Sequence, residues 1–243
     1  MIILACGMPK SGSGLLFNLI HDVIEIGVGL NSRALKKRIF LKHLLKTYNN
    51  SIGHPWGFKL LYLYLCSLIF GVFVIKTHGE LNIYMKILAK LKLTVLFYSF
   101  RDPRDVIISL RDHGEKIKDS HPNHEFVQLI VFEDALAKVK IWSQGYYGYR
   151  ECNYCHCFGY DELKTEMTNV VNTIAKELGI SLTKAQVDSI ADKYNPVKNN
   201  FNSKGLHFNQ GVSGRYKNEL TQGQINKANK LLTSELTDMG YKH

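Results

Sequence analysis

Ile2-Ile3-Leu4-Ala5-Cys6-Gly7-Met8-Pro9-Lys10-Ser11-Gly12-Ser13-Gly14-Leu15-Leu16 reads as a strand, a glycine-rich turn and the start of a helix. Ile2 to Cys6 is a short β-rich run that stops at Gly7, and apolar residues recur at helical spacing from Leu15 to Ile26. Glycines between the two let a backbone wrap closely around an anion. The helix N-terminus adds free N–H groups and the positive end of its dipole. The nucleoside-triphosphate loop has the pattern G-x-x-x-x-G-K-[ST]. Counting from Gly7 puts Gly12 in register, but Ser13 takes the lysine position, and the lysine is Lys10, inside the loop. That spacing disfavours ATP or GTP hydrolysis. On this segment alone, a glycine-rich turn without a ligand is the plain alternative.

The same alternation continues along the chain. Val72 to Ile75 predicts a second strand ending at Lys76-Thr77-His78, and Glu80 to Leu91 a helix. Thr94 to Tyr98 predicts a third strand ending at Arg101, and Pro103 suits the first turn of the helix that carries Val106, Ile107 and Leu110. Glu125 to Tyr147 reads as one long amphipathic helix, Tyr154 to Tyr160 as a strand, and Glu162 to Leu178 as a helix closed by Gly179. Asn195 to Gly214, rich in Asn, Gly and Ser, reads as a mobile loop. Strands alternating with helices predict a single α/β domain over residues 1–243, with a mainly parallel central sheet flanked by helices on both faces. In such sheets ligands bind at the carboxyl ends of the strands.

Lys and Arg outnumber Asp and Glu by 31 to 21, a net charge of +10 that favours an anionic partner. Nucleic acid is disfavoured: the basic stretch Arg33-Ala34-Leu35-Lys36-Lys37-Arg38 is brief, runs into apolar residues, and reads as a solvated helix face. Three of the five cysteines crowd at Cys152, Cys155 and Cys157. An odd count with no spread framework argues for a reducing compartment, hence a cytoplasmic location. The C-x-x-C spacing would suit zinc, but no second pair is evident, and cysteine also serves as a small hydrophobe in a buried strand. Leu60 to Ile75 is strongly apolar, yet shorter than a spanning helix and interrupted by Ser67 and Gly71. It reads as a buried helix running into a central strand, with a membrane-associated face as the alternative, and no integral membrane segment is expected.

Gly7-x-Pro9-Lys10-Ser11-Gly12-Ser13 resembles the P-K-S-G-T-T/S loop of sulfotransferases that use PAPS (3′-phosphoadenosine 5′-phosphosulfate), where it cradles the 5′-phosphosulfate. The sequence departs at Gly14 and Leu15, where many members have Thr and Trp. Arg101-Asp102-Pro103-Arg104-Asp105-Val106-Ile107-Ile108-Ser109 is similar to the family's R-N-P-[KR]-D-x-x-x-S element, whose Arg and Ser bind the 3′-phosphate. A guanidinium fork suits phosphate oxygens; a surface ion pair between Arg101 and Asp105 is the bland alternative. Lys76-Thr77-His78 resembles K-T-H, whose His is the general base, and an ordinary pKa near 6.5 suits that role. Tyr160-Asp161-Glu162-Leu163-Lys164 looks like Y-E-D-L-K, whose Tyr contacts adenine, and Tyr194 falls where the family often has an adenine-facing aromatic. Phe208 to Asn218 resembles R-K-G-x-x-G-D-W-K-N: the glycines and Lys217 fit, whereas Asn209 and Gln210 replace the basic pair that grips the 3′-phosphate. Lys204 and Arg215 lie near enough in sequence to compensate. Lys217-x-x-x-Thr221 matches part of a dimer motif of some relatives, with Gln222 in place of its valine.

The resemblance spans Gly7 to Lys217 and implies a P-loop NTPase-like sulfotransferase fold. It implies PAPS as co-substrate, PAP (adenosine 3′,5′-bisphosphate) as product, and no metal. Donor binding would fall to Pro9, Lys10, Ser11, Gly12, Ser13, Gly14, Arg101, Ser109, Tyr160, Tyr194, Asn209, Gln210 and Gly211, and catalysis to His78, Lys10 and Lys76. The sulfuryl group would pass to a hydroxyl or amine. The rivals are a P-loop nucleotide kinase, which needs the lysine missing at position 13, and a catalytically eroded nucleotide-binding module, which the Asn209-Gln210 departure favours. Apolar and aromatic residues such as Phe40, Trp56 and Phe58, in segments expected to line the acceptor pocket, point to a small hydroxylated lipid, phenol or natural product over a polysaccharide. The chain is expected to act as a monomer or homodimer.

Overall fold

A computed structural model describes residues 1–35, 37, 41, 43–195 and 211–243. Every residue of strand β1 (Ile2–Gly7) is buried, as a short apolar run at the centre of a parallel sheet must be. Helix α1 (Ser13–Val28) and the short α2 (Ser32–Leu35) lead to β2 (Ser51–Ile52), α3 (Gly57–Phe70) and β3 (Phe73–Thr77). Then come α4 (Ile83–Lys90), β4 (Thr94–Phe100), α5 (Pro103–Ile117), α6 (Glu125–Gln128), α7 (Phe132–Arg150) and β5 (Cys155–Gly159). The chain closes with α8 (Tyr160–Thr165), α9 (Met167–Glu177), α10 (Lys184–Lys193), α11 (Tyr216–Glu219), α12 (Gln222–Leu231) and α13 (Thr233–Asp238).

The strands lie in the order β2-β3-β1-β4-β5, every neighbouring pair parallel. Cys6 is level with Thr77 on one side and Tyr98 on the other, and Phe100 with Gly159. This register brings Gly7, His78, Arg101 and Tyr160, each at or just past a strand's end, to one edge of the sheet. Alternation along the strands builds two cores. Ile3, Ala5, Val74 and Phe97 pack on α1, α9 and α10, while Ile2, Leu4, Phe73, Ile75 and Leu96 pack on α3, α4 and Tyr146 and Tyr149 of α7. The parallel sheet with helices on both faces is the architecture that the alternation predicts.

Three expectations change. Glu125 to Tyr147 is two helices, because Leu129 turns inward and Val131 is extended as the N-cap of α7. Glu133 and Asp134 then complement the dipole of the new helix start. Glu162 to Leu178 is also broken, at Glu166, whose φ of −120° and ψ of 34° end α8 and begin α9. Finally, α3 is not a buried helix: Leu60, Leu63 and Cys66 are buried, but its outer apolar side chains face solvent. Among the described residues no helix is long and apolar enough to cross a membrane. Cys152, Cys155 and Cys157 stand as free thiols in and before β5.

Candidate active site

The glycine-rich turn is held to the sheet at both ends. Gly7 lies so close to β4 that a Cβ there would come 2.4 Å from Ser99 Oγ. Buried Ser11 bonds through its hydroxyl to the carbonyls of Met8 and Ser99, at 2.7 and 2.8 Å. Pro9 and Lys10 form the outer turn, and the Ser11 amide returns to the Met8 carbonyl at 3.2 Å. Lys10 has a φ of +67°, the left-handed region that side chains disfavour, and such strain marks functional turns. Gly12, at φ +91°, is the N-cap of α1 and supplies no side-chain cap. The first amides of α1, from Ser13 and Gly14 onward, therefore open on the loop's concavity as anion donors.

β3 delivers the second component. Thr77 Oγ1 donates to the Gly53 carbonyl and accepts from the Gly79 amide, and the buried Tyr149 hydroxyl donates to the Gly79 carbonyl at 2.7 Å. Between these fixed points, His78 Nδ1 lies 2.6 Å from the Gly7 carbonyl. A carbonyl can only accept, so Nδ1 carries the proton and Nε2 keeps a free lone pair. His78 is exposed as a residue, yet protein crowds around it at the strand ends. That burial, then the Lys76 charge, pushes its pKa down to about 4, partly opposed by the Gly7 bond. Lys76 is lowered to about 8 by burial and then by Lys10. Lys10 is lowered to about 8 by burial and then by Arg101, with Asp112 opposing. Lys10 thus lies within electrostatic reach of Arg101 on one side and of Lys76 and His78 on the other.

β4 and β5 supply the third component. Arg101 is buried, with its guanidinium 4.2 Å from the centroid of the Tyr160 ring, and it donates to the Val212 carbonyl at 2.8 Å. Its partner Asp105, at 3.6 Å, is buried as well, so the pair is not the surface bridge of the bland reading. Among the described residues Arg101 Nε is buried without a partner, a donor left waiting for an acceptor. Tyr160 also covers Gly12, where a Cβ would come 2.8 Å from its ring. Ser109 is buried one turn beyond Asp105 on α5.

The structure thus gathers Pro9, Lys10, Ser11, Gly12, Ser13, Gly14, Lys76, His78, Arg101 and Tyr160 at one sheet edge, with Ser109 on the adjoining helix. Gly211, at φ +65°, precedes the Val212 carbonyl that Arg101 holds. Tyr194 lies elsewhere. It is buried against α1, its hydroxyl donating to Asp22 at 2.6 Å, about 13 Å along that helix from Ser13. Asn209, Gln210, Lys204 and Phe40 lie outside the described residues, while Trp56 and Phe58, expected to line an acceptor pocket, instead face solvent. Arg215 is already engaged, bonding Asp112 and Glu219 at 2.7 Å each, which leaves it poorly placed to replace a phosphate-gripping pair. Thr221 caps α12 by accepting from Gln224, a role internal to the chain.

Sequence reading missed two groups. Asp105 accepts from the amides of Gly214 and Tyr216, at 2.7 and 3.2 Å, and so docks the late loop beside Arg101. Its place inside the Arg101–Ser109 element was the available signal. Tyr149, which braces the turn after His78 from 70 residues away, has no local signal.

An orphaned buried guanidinium nitrogen, an uncapped helix start and crowded ammonium groups fit an anion with more than one charged group. No curated protein sequence matches the chain. The family pattern described as "Sulfotransferase domain" matches residues 2–240. Among solved structures, a mouse sulfotransferase, SULT7A1, complexed with PAP is 18% identical with a TM-score of 0.66, covering 98% of this chain and 85% of that one. Retinol dehydratase in complex with androsterone and inactive cofactor PAP is 14% identical with a TM-score of 0.63, covering 100% and 82%. The same enzyme with retinol and PAP is 16% identical with a TM-score of 0.60, covering 100% and 83%.

Proposed function

The chain belongs to the sulfotransferase domain family, and from that membership we propose that it moves a sulfuryl group from PAPS to a hydroxyl acceptor, with His78 as general base. One observation carries the assignment of the base: His78 donates through Nδ1 to the Gly7 carbonyl, which leaves Nε2 with its lone pair at the rim of the glycine-rich turn's strand, within reach of the Lys76 and Lys10 charges.

The residues divide the work. The turn from Pro9 to Gly14 and the first amides of α1 hold the 5′-phosphosulfate, while Arg101 and Ser109 hold the 3′-phosphate. Tyr160, stacked on Arg101, offers a face to the adenine. His78 Nε2 takes the acceptor's proton as the acceptor oxygen bonds to sulfur, and the bond from sulfur to the bridging phosphate oxygen breaks. Lys10 and Lys76 neutralise charge on the sulfuryl oxygens and on the departing phosphate oxygen. Positioning and charge neutralisation carry most of the rate, as in phosphoryl transfer. PAP leaves.

Ser13 at the kinase lysine position argues against phosphoryl transfer. The androsterone and retinol seated in two neighbouring structures support a small lipophilic alcohol as acceptor. One domain over residues 1–243 would carry the whole reaction.

Calorimetry with PAP, AMP and ATP tests the donor site, and turnover with labelled PAPS against a panel of alcohols and phenols tests the chemistry. Selective binding of PAP is expected. H78A should keep that binding within a few-fold and lose about 100-fold or more in turnover. Equal affinity for AMP would remove the 3′-phosphate from the scheme, and a fully active H78A would remove the base.

A further inference from the structure

α3 carries an apolar stripe that nothing among the described residues covers. Phe58, Leu61, Leu65, Leu68 and Ile69 recur at helical spacing on its outer side and are 90%, 51%, 51%, 63% and 75% exposed. α4 lies beside it, Tyr84 packing against Gly57, and leaves Ile83, Tyr84 and Ile87 exposed as well. Scattered apolar residues are ordinary on a surface, but two adjacent helices that both turn such a stripe outward mark an interaction site.

Charge identifies the partner. Lys59, Lys86, Lys90 and Lys92 are exposed around this face, and none pairs with a carboxylate among the described residues. Neither α3 nor α4 contains an Asp or Glu, and the single carboxylate between Trp56 and Leu93 is Glu80, whose side chain approaches Gly145 on α7. A second copy seated across a two-fold axis would set these lysines against one another with nothing to neutralise them. An anionic lipid surface meets both needs: acyl chains accept the stripe, and headgroups accept the ammonium groups. α3 is 14 residues long, about 21 Å, too short to span a bilayer but able to lie along one.

We propose that the outer face of α3 and α4 docks the protein on membranes carrying anionic lipids, the apolar stripe entering the headgroup boundary and the lysines contacting the headgroups. The docking does not depend on the chemistry assigned to His78.

The test is flotation of the purified full chain with vesicles of phosphatidylcholine alone and of phosphatidylcholine with phosphatidylserine in equal parts. Binding to the mixed vesicles, weakened by added salt, is expected. The double variant L68E/I69E should lose about tenfold or more in vesicle affinity, and K86Q and K90Q about fivefold each. All three should keep the melting temperature and PAP affinity of the parent, since the substituted side chains point to solvent. Absence of binding to the mixed vesicles, or undiminished binding by L68E/I69E, would overturn the proposal. So would a parent dimer in sedimentation that L68E/I69E converts to monomer while vesicles go unbound, which would make a second copy the occupant.

Discussion

Lys10 combines three features that rarely coincide: a left-handed backbone, partial burial, and an ammonium crowded by Arg101 and Lys76. Each is costly without an anion and useful with one. Burial first, and then repulsion from cationic neighbours, lowers both Lys10 and Lys76 to about 8. An anion binds the protonated forms and raises them again. Affinity for PAP should therefore be full where both are ammonium groups and should fall as pH rises through that value. The expected loss is roughly tenfold per lysine between pH 7 and 9. Calorimetry across that range checks it, and K10M should show a shallower decline. An affinity flat to pH 9 would mean that neither ammonium touches the ligand. His78 is lowered in the same direction, by burial and then by Lys76, to about 4, so unlike the lysines it is already neutral at pH 7 and its lone pair needs no proton removed.

At the level of elements, the join between β1 and α1 depends on Gly12, which meets two demands at once. Its φ of +91° excludes most side chains, and the Tyr160 ring occupies the space a Cβ would need. G12A should cost about 1–2 kcal/mol from the backbone alone and, by displacing Tyr160 from Arg101, weaken PAP about tenfold. G179A is the control: its φ is +66° with nothing within 4 Å of the added methyl, so stability should fall while PAP affinity holds. Equal affinity losses in the two variants would contradict the role given to Tyr160. Four of the five strands, the glycine-rich turn and the chain positions of His78 and Arg101 were legible in sequence, because each is a local pattern of a few residues; β2 was not, since two residues make no pattern. The breaks at Val131 and Glu166 were not, because apolar spacing runs through both. The exposure of α3 was hidden for a related reason: an apolar run does not say which of its sides finds a partner. Tyr194 shows the limit for single residues, since its attachment to Asp22 spans 172 positions.

Across the whole molecule, Arg104 ties the parts together. It is buried and holds Asp102 through two nitrogens, at 3.0 and 2.7 Å, and reaches Asn229 on α12 and the Lys242 carbonyl, both at 2.8 Å. Its guanidinium also lies 4.0 Å from the Tyr216 ring centroid. R104M would strand Asp102 and should destabilise by about 3–5 kcal/mol in denaturant unfolding, with PAP affinity of the folded fraction little changed. A loss of affinity without a loss of stability would place Arg104 in the site instead. β1 occupies the middle of the sheet, so the turn it bears adjoins both neighbours: β4 through Ser99, and β3 through the link from His78 to Gly7. A nucleotide that reshapes this turn must also swing the imidazole. Loop and imidazole are thereby coupled through a single carbonyl, so a shift of either is felt by the other.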